Sequence, residues 1–268
     1  NVDMAKLKYE FLGHYFKANG MPIRNKIFGN IARLSAWGSR MAPLSNWAAN
    51  SPIGKIMSSK LLGVHPKRQT PQFVRETFPK WFNSRRRAGN SPQSPFTKRG
   101  RNENIAVGVD TVVLLNDTYM NYNYPQVGKA TVALLEAAGF KVELAEAKCC
   151  GRPMISKGLL DDAAANAAHN VSLLHAYAGN GIPIIGCEPS CLLTLRDEYP
   201  QLVKDEQAQK VAQQAYLIDE FLMMLKNEGR LELDLQPLEK KVLFHAHCHQ
   251  RSLAGTSTSL GALRMVPG

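Results

Sequence analysis

The sequence predicts an α/β fold, a parallel sheet with flanking helices, preceded by a mostly helical basic arm. Three observations carry this. From about residue 105 onward, short apolar runs alternate with longer amphipathic segments, the pattern of strand–helix units around a buried parallel sheet. The charge divides at the same place: residues 1–104 carry 19 Lys and Arg against 4 Asp and Glu, and residues 105–268 carry 14 against 18. Between the two lies "NSRRRAGNSPQSPFTKRGRNEN", rich in Ser, Asn, Pro and Arg, which reads as a linker ending near residue 104.

Taken in order, residues 1–35 read as helix, capped by Asp3, with Leu7, Phe11 and Tyr15 at helical spacing. Prolines, asparagines and serines break residues 41–63 into short pieces, and "PQFVRETFPKWF" (71–82) reads as a short helix. "DTVVLLND" (110–117) is a buried strand. "PQVGKATVALLEAAG" (125–139) is a helix ended by Gly139, and "FKVELAE" (140–146) a second strand. "GLLDDAAANAAHNVSLLHAYAGNG" is a helix, "IPIIG" (182–186) a third strand, and a helix comes after Pro189. A further helix is expected over 207–229, ended by Gly229, and a further strand over "KKVLFHAH" (240–247). No internal repeat is visible.

The 268 residues suffice for one large domain or two modest ones. No apolar run approaches the ~20 residues of a membrane span, and "NVDMAKLKYE" has no signal-peptide core. The chain starts at Asn1 rather than Met and stops at "RMVPG", so it is expected to be a piece of a longer polypeptide.

Of five cysteines, four lie between Cys149 and Cys191. Without a secretion signal, metal binding or redox chemistry is the expected use rather than disulfides. Adjacent cysteines rarely bridge to one another, but they can present two sulfurs to one metal centre. In open parallel sheets ligands collect at the carboxyl ends of strands. Asp117 comes after the first strand, Cys149 and Cys150 after the second, Cys187 and Cys191 ("GCEPSC") after the third, and Cys248 ("HAHCHQ") after the last. The doublet and the EPSC loop are expected to leave neighbouring strands ~4.8 Å apart. Thiolates suit iron–sulfur clusters or zinc. Against this stands the plain reading of cysteine as a small buried hydrophobe, which a doublet plus a CxxxC group makes harder to hold.

The motifs "KCCGRPMISKGLLDDA", "IPIIGCEPSCLLTLRDEYPQLV" and "HAHCHQRSLAG" together resemble the cysteine-rich CCG domain. That domain occurs in the B subunit of heterodisulfide reductase and in the iron–sulfur subunits of glycolate oxidase and anaerobic glycerol-3-phosphate dehydrogenase. The wording is most similar to the C-terminal part of large FAD-linked, iron–sulfur dehydrogenases of D-2-hydroxy acids, such as D-lactate or D-2-hydroxyglutarate. "NVDMAKLKYEFL" resembles the stretch just after the last cluster cysteine of their ferredoxin-like module. The resemblance implies a Rossmann-like CCG domain at 105–235, the beginning of a second, truncated one at 236–268, and an arm at 1–104. It implies that Cys149 and Cys150 are the family's pair and that Cys191, with Cys187, is the later group, although the spacing here is CxxxC where the reductase has CxxC. The first cysteine position falls on Asp117, a hard oxygen ligand, with 31 residues between it and Cys149. An all-cysteine cluster, a mixed-ligand iron or zinc site and an emptied site all stay open. Cys248 matches the first cysteine of the second unit.

The function so implied is the electron-transfer portion of an FAD-dependent oxidoreductase of a D-2-hydroxy acid, passing electrons from flavin to an acceptor. It brings a cluster of the 4Fe-4S type, FAD elsewhere in the polypeptide or complex, and flavin and ferredoxin-like domains as partners. A homo-oligomer is left open. The expected place is cytoplasmic, with peripheral contact at the inner face of the membrane as an option. The alternative is a non-redox domain, zinc-binding or metal-free, that assembles such an enzyme.

Arg152 comes directly after the doublet and Gly151, where it could hold a substrate carboxylate or pair with a local acid such as Glu188. His245, His247 and His249 flank Cys248 as crevice-lining proton carriers or ligands, or as ordinary polar residues at a strand end. The basic arm allows three uses. No nucleic-acid fold accompanies its Arg and Lys runs, which sets nucleic acid last. The stretch holding Trp37 and Trp47 could rest on anionic lipid. The favoured reading is an arm that wraps partner domains of the same enzyme and buries Trp37, Trp47 and Trp81 against them.

Overall fold

The computed structural model describes residues 3–87 and 111–268. The expected boundary near residue 104 lies outside the described residues. Four strands, β1 (Thr111–Leu115), β2 (Lys141–Leu144), β3 (Ile184–Gly186) and β4 (Ala215–Leu217), form one parallel sheet in the order β2-β1-β3-β4. The run TVVLL of β1 is apolar at every position but its first because the strand is central and covered on both faces. Its residues alternate between two cores, as the two-residue period of a strand requires. Val113 and Leu115 pack with Leu174, Leu192 and Val211, from the helices Leu160–Ala178, Pro189–Asp197 and Glu206–Gln213. Val112 and Leu114 pack on the other face with Phe78, Phe82, Leu135 and Phe221, from the helices Phe78–Arg87, Pro125–Ala137 and Ile218–Asn227. The unit is therefore helix–sheet–helix, an α/β fold, and the first of these helices reaches it from before the linker.

Two expectations after residue 200 are corrected. The single helix over 207–229 is two helices with β4 between them. Ala215 and Leu217 face one core, Tyr216 packs on the other, and the Ile184 N–H donates to the Gln214 carbonyl at 2.7 Å. The Glu220 carboxylate then accepts the Leu217 N–H at 2.9 Å and restarts the helix. Residues 240–247 are not a strand. Among the described residues they pair with no sheet edge, and Val242 and Leu243 are exposed.

The arm is helical and, among the described residues, has no sheet, but residues 1–35 are not one helix. The chain breaks at Gly20, whose φ is +84°, and at Pro22, giving Met4–Asn19, Ile23–Gly29 and Ile31–Arg40. Leu44–Asn50 and Pro52–Leu62 come next. Residues 71–77 are not helical either: the Phe73 N–H donates to the Asn46 side chain and the Val74 N–H to the Tyr122 carbonyl, so the helix starts only at Phe78. The periodic Leu7, Phe11 and Tyr15 face outward, and the buried residue of that first helix is Gly13. A Cβ there would stand 2.8 Å from Leu160 Cδ1, so glycine lets the helix lie close against the α/β unit.

Candidate metal centre

Four loops leave the carboxyl ends of the strands, and three of them meet. After β1, Asp117 caps the helix Thr118–Tyr122: its Oδ1 accepts the N–H groups of Tyr119 and Met120 at 2.8 and 3.0 Å. After β2 the chain runs straight into Cys149 and Cys150 and turns at Gly151, whose φ of +87° suits glycine. This exit is held by Asn170, buried in the helix Leu160–Ala178. Its side chain bonds both the N–H and the carbonyl of Lys148, at 2.8 and 3.1 Å, and the Tyr199 hydroxyl at 2.9 Å. Asn166 adds a bond to the Cys149 carbonyl. After β3, Glu188 caps the helix Pro189–Asp197 by accepting the Cys191 N–H at 2.6 Å, which fixes Cys191 in the first turn.

The result is a contiguous row of sulfurs. Cys150 stands beside both Cys149 and Cys191, close enough for each thiol to shift its neighbour's titration, and the Thr118 hydroxyl does the same for Cys149. Contrary to the expectation of neighbouring strands, β2 and β3 do not pair; both flank β1, and the loops bend over its end. Cys149, Cys150, Cys191, Asp117 and Thr118 line a cavity of about 530 Å³, many times the ~30 Å³ of one water. Its outer wall comes from the arm, through Asn30, Arg33 and Ala36.

Cys187 does not join them. It packs on the opposite core, its sulfur 3.1 Å from the Thr131 hydroxyl. Cys248 is exposed at the start of the helix Cys248–Leu253. None of the three histidines lines the cavity. His245 is exposed; His247 caps that last helix and meets Ser190 Oγ at 3.2 Å; His249 approaches Asp197 and Glu198. Arg152 is spent on an ion pair, with Glu198 rather than Glu188.

Protonation reflects this crowding. Cys149 is pushed up by its hydrogen bond with Cys150 and by burial. In Cys150 the bond from Cys149 pulls down, but the bond to Cys191 and complete burial raise the thiol well above its ordinary value. In Cys191 the bond from Cys150 pulls down, yet burial and the nearby Glu188 and Asp117 push it up to about 12. Burial pushes Cys187 up to about 11, and it raises the Asp117 carboxyl against its backbone hydrogen bonds. Three thiols kept protonated side by side are a set that a cation would have to deprotonate on binding.

Sequence reasoning misses Thr118, Asn170 and Glu198. Asn170 does carry a signal: it shares the buried face of an Ala-rich helix with Ala163, Ala167 and Leu174, where a polar side chain needs a partner.

The α/β domain thus gathers a cysteine doublet and a third cysteine at the carboxyl edge of a parallel sheet and presents them to one cavity. Residues 118–196 match the family model of the cysteine-rich CCG domain. The chain is similar to the C subunit of anaerobic glycerol-3-phosphate dehydrogenase of Escherichia coli K12, 30% identical over 249 residues, which cover 92% of this chain and 58% of that one. It is similar to lactate utilization protein A of Bacillus licheniformis, 32% identical over 149 residues, 53% of this chain and 59% of the relative. It is also similar to D-2-hydroxyglutarate dehydrogenase of E. coli K12, 23% identical over 254 residues, 92% of this chain and 23% of that one. The chain thus spans less than two thirds of the length of each of these relatives. No solved structure matches it.

Proposed function

We propose that this chain is an electron-transfer portion of a dehydrogenase, with an iron–sulfur cluster held by Cys149, Cys150 and Cys191. The observation that carries the reading is the row of three thiols lining one cavity in a CCG domain. When bound, an iron–sulfur cluster supplies a one-electron carrier. The donor set fits: the three are soft sulfurs.

The chain's own part is to position and insulate. Gly151, Glu188 and Asn170 fix the thiols, and the Asp117 Oδ1 stays committed to its helix cap. The names of the relatives refer to glycerol-3-phosphate, lactate and 2-hydroxyglutarate, all small anionic alcohols. The substrate class proposed for the complete enzyme is such an alcohol, a D-2-hydroxy acid in the narrower form, oxidised at a flavin on another part of the assembly. Subunits or domains carrying flavin and ferredoxin-like clusters are the partners.

A second reading concerns the arm. Residues 11–75 contain ten Lys and Arg and no Asp or Glu, and Trp37, Trp47, Ile53 and Leu61 are exposed among them. Among the described residues no helix is long and apolar enough to cross a membrane. A basic surface with outward aromatic and aliphatic side chains suits the face of an anionic bilayer, which would hold the enzyme peripherally.

The test of the main reading is iron and acid-labile sulfide analysis of the full chain purified without oxygen. Iron and sulfide in comparable amounts are expected in the unaltered chain and their loss in Cys150→Ser. Zinc without sulfide would establish the scaffold alternative instead.

A further inference from the structure

Away from the sulfurs, one donor atom each from Asp197, Glu198 and His249 lie within 4.8 Å of one another. They come from two segments: Asp197 and Glu198 close the helix Pro189–Asp197, and His249 sits in the helix Cys248–Leu253. Glu198 is only 3% exposed, yet its Oε2 has no hydrogen-bond partner, and neither has the buried Nδ1 of His249. A buried polar atom left unpaired is unfavourable, and two of them on residues of one cluster call for a third body. The neighbouring cations do not supply it. Arg152 pairs with Oε1 of Glu198, and Lys6 meets Oδ1 of Asp197 at 2.7 Å, so each uses one oxygen of its carboxylate.

We propose that Asp197, Glu198 and His249 bind a divalent first-row cation, which clips the last segment of the chain onto the α/β unit. Two carboxylates and an imidazole are a donor set that Mn²⁺, Fe²⁺ and Zn²⁺ accept. Burial pushes the Glu198 carboxyl up to about 7 even though Arg152 opposes the shift. The charges of Arg152 and Lys6 already balance those of Glu198 and Asp197. An added ion is therefore incompletely neutralised, its affinity is moderate, and Lys6 competes with it.

The site is independent of the sulfur centre, and the test keeps the two apart. The full chain is titrated with Mn²⁺, which thiolates bind poorly, and free Mn²⁺ is read by electron paramagnetic resonance. One equivalent is expected to bind to the unaltered chain and to Cys150→Ser, and to be lost in His249→Ala and Glu198→Gln. Lys6→Gln is expected to tighten binding by roughly threefold to tenfold, the Coulomb effect of removing one nearby charge. A role in packing alone would not produce that gain. Mn²⁺ should also slow amide exchange over residues 247–253. His249 is only partly buried, so its variant carries the result if Glu198→Gln does not fold. No bound Mn²⁺ in the unaltered chain, undiminished binding in His249→Ala, or loss of binding in Cys150→Ser would each overturn the proposal.

Discussion

In the α/β unit Val112, Val113, Leu114, Ile184 and Ile185 are fully buried, whereas in the arm Trp37, Trp47, Ile53 and Leu61 are between 63 and 72% exposed. The arm's helices bury their small residues instead: Gly13, Gly29, Ser35 and Ser39. Gly13 lies on Leu160 and Gly29 on Leu159, too close for a Cβ without displacing those side chains. The unit thus has a core of its own. Up to residue 62 the arm rests on it through close backbone approach and turns large apolar side chains outward, whereas its helix Phe78–Arg87 buries Phe78 and Phe82 in the unit's core. The difference assigns the two regions separate tasks. The unit holds the thiols, and the arm closes one wall of their cavity while leaving Trp37, Trp47, Ile53 and Leu61 exposed.

Substitutions can break that contrast, and the largest effect is expected at its sharpest point. Leu114→Ala should lower the stability of the chain by ~2–5 kcal/mol, while Trp47→Ala should change it by less than about 0.5 kcal/mol; urea unfolding measures both. Comparable losses at the two positions would mean that the arm carries a core after all. Next comes the seam. Gly13→Val forces a side chain into Leu160 and should cost ~1–3 kcal/mol, with faster proteolysis of residues 3–62 and an undisturbed sheet. The outward face is tested by flotation with vesicles containing phosphatidylglycerol. Binding should weaken severalfold in the double variant Trp37→Ser, Trp47→Ser and again at high salt, with little change in stability. Binding to neutral vesicles that salt leaves unaltered would remove the electrostatic part.

The smallest effect concerns the thiols of the metal-free chain. Thiols raised to about 11 and 12 hold their protons near neutrality. Alkylation of Cys187 and Cys191 should therefore be slow at pH 7.5 and still climbing, about tenfold per unit, at pH 9.5. The exposed Cys248 should react first. A plateau for Cys191 below pH 9 would show that its surroundings do not hold the proton.

Much of this is legible in the residues. β1 and β3 are short apolar runs, β2 (KVEL) alternates charged and apolar residues as a strand does, and the Asp3 cap and Gly139 stop come from local chemistry. β4 is not legible, because Ala215, Tyr216 and Leu217 sit among good helix formers and become a strand only when β3 offers an edge. The stretch 240–247 shows the converse: a strand-like sequence with no edge to bond stays unpaired. The stripe Leu7, Phe11 and Tyr15 has the spacing of a buried face and is exposed, because periodicity reports a face, not what covers it. At the site, the doublet and Cys191 can be paired by their places at strand ends. Cys187, four residues before Cys191, falls on the other side of the sheet, which only the path of the loop decides. The meeting of Glu198 with His249 depends on how the last segment folds back, and no local pattern signals it.

Whether Cys149, Cys150 and Cys191 hold a polynuclear centre is decided most simply by iron K-edge X-ray absorption on the full chain purified without oxygen. Sulfur neighbours at ~2.3 Å, as thiolate ligation gives, are expected together with an iron–iron scattering shell, both absent in Cys150→Ser. A lone metal with no second metal near it, or a spectrum that Cys150→Ser leaves unchanged, would contradict a cluster on these three thiols.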